Sequence, residues 1–368
     1  MESPNQFNTM RTFIKTFLGL SLILFVDSQD YQRCYLRNRS IGICKHVFEC
    51  SSVKNELQQG LRPRLCGYSG RYPIVCCDQN KIQGISNRIS EEKCQEYLKL
   101  DIKTTIKSAT TPTESMEDVV HAFIIGGENA YFEEYPHMAI LGYGPLENIE
   151  FKCGGSLISE QFILTAAHCL QSQNGPVSLI RLGELDLASE TEHAEPQDFN
   201  VLKTFTHPQY DFESFYHDIA LIKLDRPVIY TKYVKPACLE SKLEFEYNNL
   251  TITGWGATEY GGGFHSYLQK AYLYNLPALN CTRSYRPQSG LENGFDEELQ
   301  LCGGNPKSNA DTCQGDSGGP IQAKIQYLPQ MYRIVGVTSF GNNCGLIPGV
   351  YTKVSKYISW IESIVWPN

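Results

Sequence analysis

The stretch DTCQGDSGGP, residues 311 to 320, sets Ser317 between Asp316 and two glycines. A serine hydroxyl is a poor nucleophile at neutral pH and needs a neighbouring base to take its proton. Read alone, Gly-Asp-Ser-Gly is equally an ordinary glycine-rich turn. Two stretches upstream change that reading: LTAAHC, 164 to 169, carries His168, and HDIALIKL, 217 to 224, carries Asp218. His168 has the chemistry of a general base that later returns its proton to a leaving amine, and a buried Asp218 would hold its tautomer and stabilise the transient imidazolium. The chain order His, Asp, Ser separates this set from the other orders in which the same three residues recur. A lone histidine after two alanines is more often structural, but three motifs in this order, bracketed by cysteines, favour nucleophilic catalysis. The remaining histidines, His217 included, form no HExxH or His/Cys ligand spacing, which argues against a zinc site.

Around these motifs short apolar runs recur between turn signals: MAILGYG, SLIRLGE, DIALIKL, LTITGWG, RIVGVTSF and GVYTKV. Strand-length runs at this spacing predict an all-β sandwich or barrel. The end of the chain differs. VSKYISWIESIVW puts Tyr357, Ile358, Ile361, Ile364 and Val365 on one helical face, predicting a terminal helix packed on the barrel.

The 368 residues exceed one small domain, and 42% hydrophobic with 20% charged residues is an ordinary globular composition. A net charge of −8 argues against a nucleic-acid surface, which needs a basic field. Arg11 and Lys15 precede the apolar run Phe17 to Val26, which together with Val26-Asp27-Ser28 reads as a cleaved signal peptide over residues 1–28. That run is about half the length a membrane span needs, so the mature chain is expected to be secreted and free of the membrane. Fourteen cysteines in such a chain read as seven disulfides. Sequons at Asn38, Asn249 and Asn280 fit the same compartment.

Six cysteines, Cys34, Cys44, Cys50, Cys66, Cys76 and Cys77, crowd into residues 31–80, a segment too short for a large apolar core. Disulfides must hold it together, and the spacing alone leaves their pairing open. Residues 81–123 are poor in glycine and lose the apolar periodicity, and SATTPTESMED, 108 to 118, has little to bury, so this segment reads as an exposed linker. Cys94 stands alone within it and needs a distant partner.

On the motifs around His168, Asp218 and Ser317, residues 124–368 resemble a trypsin-like serine protease domain over its whole length. The resemblance implies two six-stranded antiparallel β-barrels with a C-terminal helix, protein substrates and no required cofactor. It implies that the NH groups of Gly315 and Ser317 form an oxyanion hole, where losing one donor typically costs ~10²–10³ in rate. Asp311, six positions before Ser317, matches the acidic floor of the specificity pocket, and Gly341 and Gly349 match the glycines that keep its walls open. Cleavage after Arg or Lys follows, through a charge-assisted contact that apolar side chains cannot offer. Ser339-Phe340-Gly341 matches the strand that pairs with extended substrate backbone. The implied disulfides are Cys153–Cys169, Cys281–Cys302, Cys313–Cys344 and Cys94–Cys238, the last keeping a light chain attached after activation. The acidic segment 183–199, with Glu184 and Glu195, lies where such proteases often bind calcium, although a charge run is usually a solvated face.

The six early cysteines, ending in a Cys-Cys pair, resemble the clip domain of arthropod serine proteases. That implies bridges Cys34–Cys76, Cys44–Cys66 and Cys50–Cys77, and a docking role toward cofactors or neighbouring proteases. Such proteins are zymogens of haemolymph cascades leading to Toll activation or melanisation. The implied partners are a downstream protease zymogen or cytokine precursor as substrate, an upstream activating protease and a serpin-type inhibitor. The competing class is a non-catalytic clip-domain homologue acting as a scaffold; such homologues usually lose the nucleophile, and Ser317 is present here. Activation in the family frees an amine before a string such as Ile124-Ile125-Gly126-Gly127, and that amine would pair with Asp316. Phe123 stands before the cut, and residues 108–123 contain no Lys or Arg. The expected activator is therefore not trypsin-like: a chymotrypsin-like or microbial protease cuts after Phe123, or a cut elsewhere in the linker is trimmed to Ile124.

Overall fold

The computed structural model describes residues 33–37, 41–47, 50, 53, 61–69, 72–77, 88–108, 127–189, 195–243, 245, 247, 249–256, 265–307, 315–325, 328, 330–341 and 347–367. The signal segment, Asn38, Phe123, Ile124, Asp311, Cys313 and Cys344 lie outside the described residues. The chain divides into two compact units, Met1–Ser69 with Pro73–Lys81, and Gly70–Tyr72 with Ile82–Asn368.

Among the described residues the small unit has four short antiparallel strands, Arg33–Tyr35, Ile41–His46, Leu65–Ser69 and Tyr72–Cys77, ordered first, second, fourth, third. Among the described residues, Val47, Val53 and Val75 pack against Cys50 and Cys77. Three disulfides, Cys34–Cys76, Cys44–Cys66 and Cys50–Cys77, take the place of a larger core. Gly42 sits where a Cβ would lie 2.6 Å from the Cys77 carbonyl oxygen and 2.9 Å from Cys76 Sγ, so the adjacent cysteines need a glycine opposite them.

The large unit consists of two closed six-stranded antiparallel barrels. In the first, β1 (Met138–Tyr143), β2 (Glu150–Leu157), β3 (Phe162–Thr165), β4 (Gly175–Leu182), β5 (Gln197–Thr206) and β6 (Ala220–Leu224) run in the order β5-β6-β3-β2-β1-β4, and β4 pairs with β5 to close the ring. In the second, β7 (Leu250–Gly254), β8 (Gln269–Asn275), β9 (Gln300–Gly304), β10 (Pro320–Lys324), β11 (Tyr332–Phe340) and β12 (Gly349–Lys353) run β11-β10-β7-β8-β9-β12, closed by β11 on β12. Closure removes free strand edges and leaves two apolar interiors. Leu141, Leu157, Ile163, Leu164, Ile180 and Leu221 fill the first, and Ile252, Leu273, Leu301, Ile321, Val335 and Tyr351 fill the second.

Among the described residues three helices complete the unit: α1 (Ile89–Ser108), α2 (Ala278–Ser284) and α3 (Val354–Val365). The apolar face read in the terminal segment is the buried face of α3, with Tyr357, Ile358, Ile361 and Val365 joining the core of the first barrel. Each such side chain contributes about 1.5–3 kcal/mol by leaving water. α1 departs from the expected exposed linker. Its buried positions, Ser90, Cys94, Tyr97 and Leu98, fall at helical spacing, but only Tyr97 and Leu98 are large apolar residues. Serine and cysteine at the other two positions hid the periodicity, and the disulfide Cys94–Cys238 joins the helix to the strand Cys238–Leu239, which runs parallel to β11.

Candidate active site

Residues from both barrels converge on Asp218, just ahead of β6. His168 lies in a single 3-10 turn, Ala167–Leu170, after β3. Its backbone NH donates to Asp218 Oδ1 at 3.0 Å, and its Nδ1 lies 2.8 Å from Asp218 Oδ2. The Cys153–Cys169 disulfide and the Tyr143 hydroxyl, which donates to the Cys169 carbonyl at 2.5 Å, hold that turn against β1 and β2. Both sulfurs are spent on each other, so they offer no metal-ligand pair beside the imidazole.

Asp218 is 3% exposed and fully partnered. From the second barrel, Ser339 Oγ on β11 donates to its Oδ2 at 2.6 Å, and Thr352 Oγ1 on β12 donates to its backbone carbonyl at 2.8 Å. Burial by itself would raise the carboxyl pKa, but the imidazole and these hydrogen bonds reverse that and hold it below the ordinary value. For His168, burial pushes the other way, downward, and the Asp218 carboxylate more than offsets it, leaving the imidazole above its usual 6.5. The pair thus favours the charged form of each group in the presence of the other.

His217, set aside in the sequence, turns the chain into Asp218. It adopts a left-handed backbone, φ 54°, uncommon for a non-glycine residue. Its ring stacks on His207 with centroids 5.3 Å apart, and its Nδ1 lies 3.1 Å from the Tyr357 hydroxyl of α3. The terminal helix therefore buttresses the aspartate from behind.

Ser317 is partly exposed on a loop clasped from two sides. Gly154 NH on β2 donates to the Ser317 carbonyl at 2.8 Å, Gly318 NH donates to Thr338 O at 2.8 Å, and Thr338 NH donates to Gly319 O at 2.8 Å. Gly315 holds φ +99°, a backbone conformation that favours glycine. Asp316 is buried, 3% exposed, and accepts from Gly256 NH at 2.9 Å.

Gly341 and Gly349 face one another, since a Cβ on Gly341 would reach Gly349 Cα at 3.9 Å. Next to Gly341, Phe340 packs on Phe215 and Tyr285, with ring centroids 4.6 and 5.4 Å away. Ser339, assigned from the sequence to a substrate-facing strand, spends its hydroxyl on Asp218. No sequence signal marks that contact, because residues 339 and 218 meet only when the barrels pack.

Cys281 is bonded to Cys302, fastening α2 to β9. Asn249 and Asn280 are both exposed. Glu184 is buried, and its carboxylate is taken up by Arg181 at 3.3 Å and by the Leu185 NH at 2.9 Å, whereas Glu195 is exposed. A cation there would have to compete with Arg181. Among the described residues no helix is long and apolar enough to cross a membrane.

Comparison with known proteins agrees with this geometry. The trypsin family model matches residues 124–361. Serine protease snk of Drosophila melanogaster is 37% identical over 88% of this chain and 76% of its own length. Phenoloxidase-activating factor 1 of Holotrichia diomphalia is 33% identical over 89% of the chain and 90% of its own, and the proclotting enzyme of Tachypleus tridentatus is 28% identical over 92% and 91%. The chain belongs to the trypsin family, among the arthropod clip-domain serine proteases of the cascade type, and is a trypsin-like serine endopeptidase.

Proposed function

We propose that the protein is a secreted zymogen that, once cut before Ile124, hydrolyses peptide bonds after Arg or Lys in an extracellular immune or melanisation cascade. In this reading Ser317 Oγ attacks the scissile carbonyl while His168 Nε2 takes its proton, Asp218 holds Nδ1–H, and the NH groups of Gly315 and Ser317 receive the oxyanion. His168 then protonates the leaving amine, and water repeats the sequence to release the acyl group. Asp311 supplies the carboxylate for the substrate cation, between walls kept low by Gly341 and Gly349. The observation that carries the reading is the His168 Nδ1 to Asp218 Oδ2 contact of 2.8 Å, closed by Ser339, at the loop that bears Ser317. The names of the similar proteins, a phenoloxidase-activating factor and a proclotting enzyme, support a cascade role; in this reading the substrate is a protease zymogen or cytokine precursor and the inhibitor a serpin.

The reading predicts that a covalent serine reagent gives a stoichiometric burst and labels Ser317 in the cut protein. It also predicts that the same preparation hydrolyses Arg-directed peptides, and that Ser317→Ala loses both. A wild-type enzyme that neither labels nor turns over would instead make the chain a scaffold. Because Phe123 precedes the junction, the activator is expected to prefer aromatic residues or to cut upstream and trim. Amino-terminal sequencing of the active heavy chain should return Ile124, and any other terminus overturns this account of activation.

A further inference from the structure

We infer that helix α1 is a noncovalently locked subunit of the catalytic unit, so that once the chain is cut the light chain stays docked even when the Cys94–Cys238 bond is absent. This rests on the proposed cut between α1 and Glu128. A disulfide needs only two cysteines brought close. The interface around Cys94 has much more than that.

Glu91 and Arg333 form a nearly buried pair, each side chain about one-sixth exposed (16% and 17%). Arg333 Nη1 donates to Glu91 Oε1 at 2.7 Å and to the Leu239 carbonyl at 2.6 Å, and Nη2 donates to Glu91 Oε2 at 3.2 Å. Ser241 Oγ donates to Glu91 Oε1 at 2.6 Å. Beside it, Glu362 of α3 receives the Ser90 NH at 3.2 Å, the Ser90 hydroxyl at 2.6 Å and Arg88 Nη1 at 2.9 Å. Farther along, the buried Tyr97 hydroxyl donates to the Ile158 carbonyl at 3.1 Å. Three anchors thus span the helix from Arg88 to Tyr97, about 14 Å at the helical rise. They grip three separate places: the start of β11, α3 and the residue that follows β2.

Departure of α1 would leave Arg333 without the Glu91 carboxylate and uncover the surface that buries Tyr97 and Leu98. Losing one member of a buried ion pair is strongly unfavourable, because the partner keeps its desolvation cost. The helix therefore belongs to the heavy chain's fold rather than hanging from it by a sulfur bridge, and the small N-terminal unit remains attached whatever the redox state of Cys94.

The test uses the full chain carrying Cys94→Ala and Cys238→Ala, cut at a protease site introduced within residues 109–118. This makes the result independent of the natural junction and of peptide turnover. Gel filtration is expected to show the two chains eluting together. Adding Glu91→Ala should weaken their association by at least about a hundredfold, whereas Glu92→Gln on the exposed face should not. Separation of the chains with Glu91 and Arg333 intact overturns the proposal. If the cysteine variant fails to fold, hydrogen exchange on the cut, disulfide-intact protein decides. The amides of α1 up to Leu98 should stay as protected as before the cut, and their loss of protection overturns it.

Discussion

Asp218→Asn is expected to lower kcat on Arg-directed peptides by about 10⁴ with KM little changed. The carboxylate does three tasks at once: it accepts the His168 backbone NH, the imidazole Nδ1–H and the Ser339 hydroxyl. An asparagine has one acceptor oxygen, and its NH₂ donates. If that NH₂ faces Nδ1, the imidazole proton moves to Nε2, and the nitrogen that should take the Ser317 proton is already protonated. The pH profile gives a second readout. The neutral imidazole is the base, so activity rises as pH passes upward through its pKa. In the wild type that limb lies above the ordinary 6.5, because the carboxylate outweighs burial. In the variant burial acts unopposed, so the limb moves below 6.5. Wild-type kcat in the variant, or an acid limb that stays in place, would remove Asp218 from the mechanism.

Gly318→Ala is expected to destabilise the large unit by about 2–5 kcal/mol and to abolish turnover. Gly318 has φ +76°, where an L side chain costs about 1–2 kcal/mol. A Cβ there runs into Thr165 Oγ1, lies 2.6 Å from the Gly154 carbonyl oxygen and 3.1 Å from Cys169 Sγ. Thr165 itself donates to that carbonyl at 2.8 Å, and Cys169 is bonded to Cys153, so none of the three can move aside cheaply. Overpacking adds about 1–3 kcal/mol. The strain falls between the Ser317 loop and the turn carrying His168, which is why activity should fail before the protein unfolds. Denaturant midpoints of wild type and variant, measured with the disulfides intact, test this; equal midpoints would mean that the loop packs otherwise.

The fold class was legible because its signals are local. Strand runs such as DIALIKL and LTITGWG repeat between turns, and the face of α3 can be read within thirteen residues. α1 was not legible. Its inward face uses Ser90 and Cys94 where an apolar pattern would need larger side chains, and its stabilising partners, Arg333 and Glu362, lie more than 240 residues away.

The same division runs through the active site. Chemical type and order, a histidine, an aspartate and a glycine-flanked serine, can be recognised from the residues alone, since each role demands a particular functional group and leaves a local motif. Which groups support them is a matter of tertiary packing. Ser339 and Thr352 reach Asp218 from the second barrel, the Gly154 NH donates to the Ser317 carbonyl, and His217 leans on Tyr357 of the terminal helix. Serine, threonine and glycine are common everywhere in a chain, and a hydrogen bond spanning more than a hundred residues leaves no periodicity or spacing to read. Only the closing of two barrels against each other selects those few from the rest.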